Sequence, residues 1–351
     1  MERIHHQSHA APPRRLLAAK RTGSHRERRR AAKKEGLSML RILFVLTDLV
    51  APLACGYFLK QHHLLSQRVN DCLIRFNIII VNTLLALLAF WVLPLDNGLL
   101  IAPLFGCFLV LFPGLIGYAL FARRLKSPLD RGAYMGSALL ANLGTLGGVC
   151  AFILYNEQGF AYAQLVATIQ NFLLCIVVFP IAQYYHMKAT GSLQQTSRLR
   201  SLRDMFLSPN QLCVLGMAAG LALNALGIER PAPLGTLFQS LVHIGAWSAM
   251  LPVGFFIDLR TTRRYLPHIH SLTALRFLIT PAATLLLATL LPLDPILRHT
   301  IIILSFAPTA INAVLSARLY RLNVNLPAAS FLITTAAFLL IIFPILFFLL
   351  R

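Results

Sequence analysis

Ten mostly apolar windows of membrane length recur along the chain, and they constrain its fold more than any other feature. Each window is long enough to cross a hydrocarbon core of about 30 Å as a helix. Of the residues, 57% are hydrophobic and only 13% are charged, a balance far from that of a soluble domain. We therefore predict an all-α polytopic membrane protein with ten spans, at 40–59, 73–93, 99–121, 132–155, 160–185, 210–227, 236–257, 270–291, 299–319 and 326–350.

The fourth span, from Gly132 to Tyr155, does not have the sequence of a simple anchor. Its middle, NLGTLGG, carries an amide, a hydroxyl and three glycines. Each glycine weakens a helix, and each polar group needs a partner within the membrane. We expect a break there, with two half-helices aiming backbone N–H groups at a carboxylate substrate. The residues expected to form this site are Asn142, Gly144, Thr145, Gly147 and Gly148.

Close helix packing is the alternative explanation of these glycines, because several of them have GxxxG spacing. The pair Gly144 and Gly148 fits the motif but lies inside the expected site. For the pairs that begin at Gly132 and Gly216, packing is the favoured interpretation.

The two halves of the chain are weakly self-similar. A Phe-Pro pair follows Tyr155 after 24 residues and Tyr320 after 23 residues. Aligned on these features, the fourth span falls opposite the ninth, and NLGTLGG falls opposite APTAINA at 307–313. Five spans per half is an odd number, so the second half would enter the membrane inverted. Interrupted helices at matching positions of inverted repeats are typical of a transporter binding site.

The ninth span supplies the second part of the expected site. Pro308 removes a backbone donor and frees a carbonyl one turn earlier, while Thr309 and Asn312 can satisfy that carbonyl or contact a ligand. A simple proline kink is the alternative. The alignment with the fourth span favours a site.

Basic residues are concentrated on alternate loops. The loops after the odd-numbered spans, with their helix edges, hold seventeen Lys or Arg, whereas the opposite loops hold only Arg230 and Arg298. The positive-inside rule then predicts a cytoplasmic linker at 186–209 between a first repeat at 39–185 and a second at 210–351, with both termini outside. Residues 1–38 contain eleven Lys or Arg, which conflicts with an outer N-terminus. We interpret them as a basic, disordered extension from a misassigned start, with Met39 as the alternative start.

Two charged residues within the spans are candidates for a role in transport. Asp48 is a candidate for ion coupling, although a position at the outer interface, reaching water, is the favoured interpretation. Arg276 is a candidate for attracting anions into a cytoplasmic vestibule, although snorkelling to the headgroups is favoured. The other polar residues of the spans are weaker candidates for the site, and most of them are expected to form interhelical hydrogen bonds: Asn77, Asn82, Gln164, Gln170, Asn171, His243 and Ser248.

Enzymatic function is not predicted, because the chain contains no HExxH, GxSxG, Walker A or GxGxxG motif. The six cysteines show no CxxC spacing, so no metal or other cofactor is predicted. The net charge of +20 would indicate nucleic acid in a soluble chain, but here the basic residues lie in short loops and one tail. The expected partners are a small organic anion and the lipid bilayer, and the sequence leaves a homodimer open.

Three stretches resemble the auxin efflux carrier family of membrane transporters, which includes malate permease-like proteins. They are LACGYFLKQHHLLS at 53–66, NLGTLGGVCAFILYNEQGFAYAQL at 142–165 and SFAPTAINAVLSARLYRLNVNLPAASFLITT at 305–335. The similarity covers roughly residues 39–351. It implies ten helices in two inverted five-helix repeats, with the fourth and ninth helices broken and crossing near the substrate, and movement of small organic anions by an elevator mechanism.

The chain departs from the family in one respect. Relatives commonly have a proline in both broken helices, whereas here only Pro308 is present and the fourth span has Gly147 and Gly148. The wider superfamily includes sodium-coupled bile acid carriers, so a symporter of that type is one alternative. A membrane receptor that uses the same fold without transport is the other.

Overall fold

The computed structural model describes residues 46–95, 98–191, 212–255 and 265–350. All regular elements among these residues are helical, and from Thr47 onward they belong to one compact unit, Thr47–Arg351. The extension 1–38 and most of the predicted linker lie outside the described residues. The linker was predicted to begin at residue 186, but the helix there continues to Thr190. It ends on Gly191, whose φ of 67° is the left-handed conformation common at helix C-termini.

Twelve α-helical segments follow one another in the described ranges. They correspond to the ten predicted spans once the fourth and ninth spans are each divided in two. The segments are α1 (Leu46–Val50 with Ala51–Gln61), α2 (Gln67–Phe90), α3 (Gly98–Leu120), α4 (Pro128–Leu139), α5 (143–155), α6 (157–190), α7 (Leu212–Ala225), α8 (Ala232–Phe255), α9 (Pro267–Leu290), α10 (Pro295–Ser305), α11 (Ile311–Leu319) and α12 (Asn325–Leu349).

Five continuous helices among the described residues are long and apolar enough to cross a membrane. They are Gln67–Phe90, Gly98–Arg124, Leu143–Thr190, Pro267–Leu290 and Asn325–Leu349. The third of these contains α5 and α6, which are separated at Asn156, where φ is 55° and the chain turns sharply.

Short polar caps determine where several helices begin. The Ser66 hydroxyl accepts a hydrogen bond from the backbone of α2, and Ser127 does the same for α4, whose first residue is Pro128. The Asp294 carboxylate accepts from two backbone N–H groups of α10. These side chains satisfy backbone donors that have no partner within the helix, so the loops define the ends of the apolar segments.

Helices α1, α2, α7 and α8 form what we call the panel group, in which α7 packs on α2 and α1 packs on α8. A Cβ atom on Gly220 would lie 2.2 Å from the Leu87 carbonyl oxygen, and one on Gly216 would lie 2.4 Å from that of Thr83. The packing role predicted for the glycine pair at 216 is therefore confirmed.

Helices α3 to α6 and α9 to α12 form the second set, the crossing group. One apolar cluster runs through it, and Tyr134, Leu139, Leu275 and Leu326 are among its fully buried members. Gly132 of α4 packs against Tyr185 of α6, as predicted for a packing glycine. The buried cluster joins α4 and α11, one half of each interrupted helix, to α3, α6, α9 and α12.

Candidate functional site

The two interrupted helices meet at their breaks. Between α4 and α5, and again between α10 and α11, the chain leaves the helical conformation, and Ala141 and Thr309 form an antiparallel bridge. The Asn142 N–H donates to the Pro308 carbonyl over 2.7 Å, and the Ala310 N–H donates to the Leu140 carbonyl over 3.0 Å. The starts of α5 and α11 therefore lie side by side.

The fourth span breaks without a proline because Asn142 acts as the N-cap of α5. Its φ and ψ of −80° and 63° are not helical, and its side-chain oxygen accepts hydrogen bonds from the Leu146 N–H and the Thr145 hydroxyl. The break lies at 140–142, one turn before Gly147 and Gly148. The Asn142 amide thus helps to interrupt the fourth span, as Pro308 helps to interrupt the ninth.

Buried side chains satisfy the backbone groups that the breaks release. The Gln170 side chain on α6 donates to the Ala141 carbonyl over 2.7 Å and accepts from the Ala141 N–H over 2.9 Å. On α12, the Thr334 hydroxyl accepts from the Thr309 N–H, and the Ser330 hydroxyl bonds the Thr309 hydroxyl over 2.9 Å. The interhelical bond predicted for Gln170 is confirmed. Ser330 and Thr334 were missed, although two hydroxyls one turn apart in an apolar helix were a usable signal.

The three glycines permit close approach of α5 to its neighbours. The Gly144 carbonyl accepts a hydrogen bond from Gln164 on α6. A Cβ atom on Gly147 would lie 2.5 Å from a Leu304 methyl on α10, and one on Gly148 would lie 3.2 Å from the Gln164 amide. Packing therefore accounts for Gly147 and Gly148, and a role for them in substrate binding stays a prediction.

A small cavity adjoins the crossing at the boundary between the two helix groups. Gly144 and Thr145 of α5 line it on one side, and Asn77, Asn82 and Gly245 of the panel group line it on the other. Its interior, about 10 Å³, has room for about one water molecule. No dicarboxylate fits the cavity unless α5 separates from α2 and α8.

The remaining predicted residues of the crossing differ in how accessible their side chains are to a ligand. Thr309 is fully buried and engaged with α12. Asn312, in the first turn of α11, is only partly buried, and its side chain has no hydrogen-bond partner among the described residues. Of the crossing residues, Asn312 and Thr145 are therefore those whose side chains are partly accessible.

Arg276 lies at the end of the first half-helix and not at the membrane surface. It is 1% exposed, and its guanidinium donates to the Ser137 and Ala138 carbonyls over 2.9 and 2.8 Å. These carbonyls belong to the last turn of α4, where the helix dipole is negative. The interpretation that Arg276 snorkels to the headgroups is therefore wrong, because a helix end within the protein offers it acceptors.

Asp48 is likewise buried. It is 3% exposed, its carboxylate lies 2.6 Å from Nδ1 of His243, and it accepts a hydrogen bond from the Trp247 indole over 3.1 Å. The interpretation of Asp48 as a residue that reaches water is therefore wrong. Sequence reasoning named both residues but did not pair them, because they lie on different helices, α1 and α8.

A larger apolar groove of about 780 Å³ lies between α3, α4 and α6, with Phe112, Tyr118 and Met135 among its lining residues. None of its described lining residues carries a positive charge. It does not contain the crossing, and it suits a lipid chain better than a carboxylate.

Comparison with known proteins agrees with this geometry at a coarse level. No family model matches the chain. A protein of Rhizobium meliloti (strain 1021) named "Putative malonate transporter" is 26% identical over 230 residues, which cover 64% of this chain and 69% of that protein. Its name indicates a transporter. Together with the long apolar helices, this similarity supports a multi-pass membrane protein of a transporter type.

Proposed function

We propose that the protein is a secondary transporter of small organic anions, with the substrate held where α4–α5 crosses α10–α11. The observation that carries the proposal is the bridge between Ala141 and Thr309, since it brings the starts of two half-helices to one point. The first N–H groups of a helix lack intrahelical partners and carry partial positive charge. Two such ends suit a carboxylate, and the relative's name points to malonate as the substrate class.

An inverted repeat of five and five spans accounts for the pairing of the helices. Gln170 lies nine residues before Phe179, and Thr334 lies nine residues before Phe343. Both side chains bond the broken backbone beside them, so positions that correspond in the two halves do the same work. The repeat makes α1 correspond to α7 and α2 to α8. The α2–α7 contact in one half of the comparison is therefore the counterpart of the α1–α8 contact in the other.

Glycine positions support this correspondence between the two contacts. Gly56 of α1 faces the Leu251 carbonyl of α8, as Gly220 of α7 faces the Leu87 carbonyl of α2. In both pairs the missing Cβ lets two backbones approach.

The proposed mechanism is an elevator-type movement of the crossing group against the panel group. The small cavity between Thr145 and the panel residues represents a conformation closed around the site. Separation of the two groups would open it and expose the Asn142 and Asn312 amides, which would orient the carboxylate by hydrogen bonds. Because the contacts within each group are extensive, each group can move as a body.

We place the protein in the inner membrane of a bacterium, within the auxin efflux carrier family. The linker and the other basic loops would be cytoplasmic and both termini outside. The membrane potential then favours anion export by about 2.3 kcal/mol per charge per 100 mV. Import would require a coupled cation.

Exchange of radiolabelled malonate tests the proposal. The full chain in proteoliposomes loaded with malonate should exchange external label, whereas protein-free liposomes should not. Asn312→Ala and Asn142→Ala should each lower the exchange rate about tenfold, as expected for the loss of a hydrogen bond to a charged ligand.

Asn224→Ala is the matched control, since Asn224 bonds the Phe90 and Leu93 carbonyls within the panel group. It should lower stability without lowering exchange per folded molecule. A wild-type protein that binds malonate but never exchanges it would indicate a receptor. Normal exchange by both crossing variants would remove the assignment of the site.

A further inference from the structure

Asp48 and His243 form an acid–histidine pair between α1 and α8. The packing of these two apolar helices does not by itself require ionisable residues. Asp48 is the third residue of α1, and His243 lies in the middle of α8, eleven residues after its first residue. Their side chains meet at 2.6 Å, and the Trp247 indole bonds the second carboxylate oxygen over 3.1 Å. An ionisable residue within a membrane segment is costly, and it commonly marks a path for ions or protons.

The chemistry of the pair suits a proton. With a neutral imidazole, the carboxylate leaves the pair with a net charge of −1. Binding one proton gives either imidazolium with carboxylate or imidazole with carboxylic acid, and both forms are neutral. An arginine partner would keep its proton, whereas histidine can bind and release one near neutral pH. The His243 side chain is half exposed, whereas the Asp48 carboxylate is buried against it.

Within the described ranges, the titratable groups on the helices that pack against the pair are few. Among the described residues, α8 has no other titratable side chain, and those of α1 begin at Cys55, about two turns beyond Asp48. Those of α2 are Arg68, Asp71, Cys72 and Arg75, all in its first turns, and α5 contributes Cys150 and Tyr155. The part of α2 that bonds α8 does so through the neutral amide of Asn77.

Helix α8 connects the pair to the crossing. His243 and Trp247 lie one turn apart on the face toward α1, and Gly245 and Ala249 lie on the opposite face, in the wall of the cavity that Thr145 also lines. A change of charge at the pair alters the attraction between α1 and α8. It therefore acts on the wall against which α5 closes.

We infer that Asp48 and His243 together form the proton-binding site that couples transport of the anion to a proton gradient. This inference rests on the proposed transport function and deepens it. A malonate dianion that enters with one proton carries one negative charge fewer across the membrane. For coupling of one proton per anion, a gradient of one pH unit supports about tenfold accumulation.

Proteoliposomes with the membrane potential held at zero by potassium and valinomycin provide the test. Radiolabelled malonate accumulation is measured with and without a gradient of one pH unit, and malonate exchange is measured in the same vesicles. The ratio of accumulation with the gradient to accumulation without it should be about ten for the wild type. It should fall to about one for Asp48→Asn and for His243→Gln.

Asp71→Asn is the control, since Asp71 is an exposed carboxylate at the start of α2 whose side chain bonds Gln67. This variant should keep the wild-type ratio. The inference is overturned if Asp48→Asn and His243→Gln keep a ratio near ten, or if wild-type protein that exchanges malonate shows no effect of the gradient. Absence of exchange in the wild type would instead remove the transport function, and the inference with it.

A second measurement decides the case in which both variants fail to fold. Malonate is added to detergent-solubilised wild type in weakly buffered solution, and the pH change is recorded. Uptake of about one proton per bound malonate supports the inference, and uptake of none overturns it.

Discussion

Replacing Arg276 by methionine removes a buried guanidinium while nearly preserving side-chain volume. In the wild type, one nitrogen of this group donates to both the Ser137 and Ala138 carbonyls at the end of α4. Methionine offers them no donor, and the surrounding helices admit no bulk water to replace it. The last turn of α4 leads directly into the crossing, so its position bears on the proposed site.

The expected loss of stability follows from these two acceptors. A buried acceptor without a partner costs about 1–3 kcal/mol. Removing a buried charge recovers part of that, because a desolvated charge is itself costly. The net loss should be about 2 kcal/mol, and Arg276→Lys should recover part of it, since lysine keeps the charge but not the planar geometry.

Thermal unfolding in detergent, followed by intrinsic fluorescence at one fixed scan rate, measures the effect. Arg276→Met should unfold several degrees below the wild type. Arg318→Met is the control, because Arg318 is exposed in the last turn of α11, and it should unfold with the wild type. If Arg276→Met were as stable as the wild type and Arg318→Met, the view that the guanidinium holds the end of α4 would be refuted.

Two further predictions concern contacts of the panel group. Arg230 binds Glu157 of α6 through two hydrogen bonds of 2.6 and 3.1 Å, so Arg230→Glu should lower the unfolding temperature. Adding Glu157→Arg to that variant should recover part of the loss. A double variant no more stable than Arg230→Glu alone would contradict the contact. Gly220→Leu would drive a side chain into the Leu87 carbonyl and should abolish folding or lower the yield of folded protein severely. Ala219→Leu, at an exposed neighbouring position, should fold normally. Equal yields of the two folded variants would contradict close α2–α7 packing.

The crossing shows how far local patterns reach. NLGTLGG and APTAINA predicted interruptions in the fourth and ninth spans, and the chain leaves the helical conformation at 140–142 and 306–310. The expected first break covered all of NLGTLGG, whereas the observed one ends at Asn142, its first residue, because Asn142 is the N-cap of α5 and the glycines lie within that helix. The hydroxyls of Ser330 and Thr334 were overlooked because nothing in α12 itself shows which backbone they face.

Asp48 and Arg276 show the opposite limit. Each was interpreted as an isolated ionisable residue that would seek water or headgroups. Asp48 instead meets a residue 195 positions away, and Arg276 meets carbonyls 138 and 139 positions away. A buried charge is tolerated where a partner compensates its lost hydration, and only the folded arrangement supplies that partner.

The sequence by itself determined the apolar segments, their approximate ends and the packing role of the glycine pairs that begin at Gly132 and Gly216. These depend on properties within one segment, namely its length, its backbone donors and the absence of a Cβ. The tertiary structure alone decided that Gln170 and Thr334 hold the two breaks, that Arg276 holds the end of α4 and that Asp48 pairs with His243. Each of these is a contact between helices, and its geometry exists only once the helices have packed.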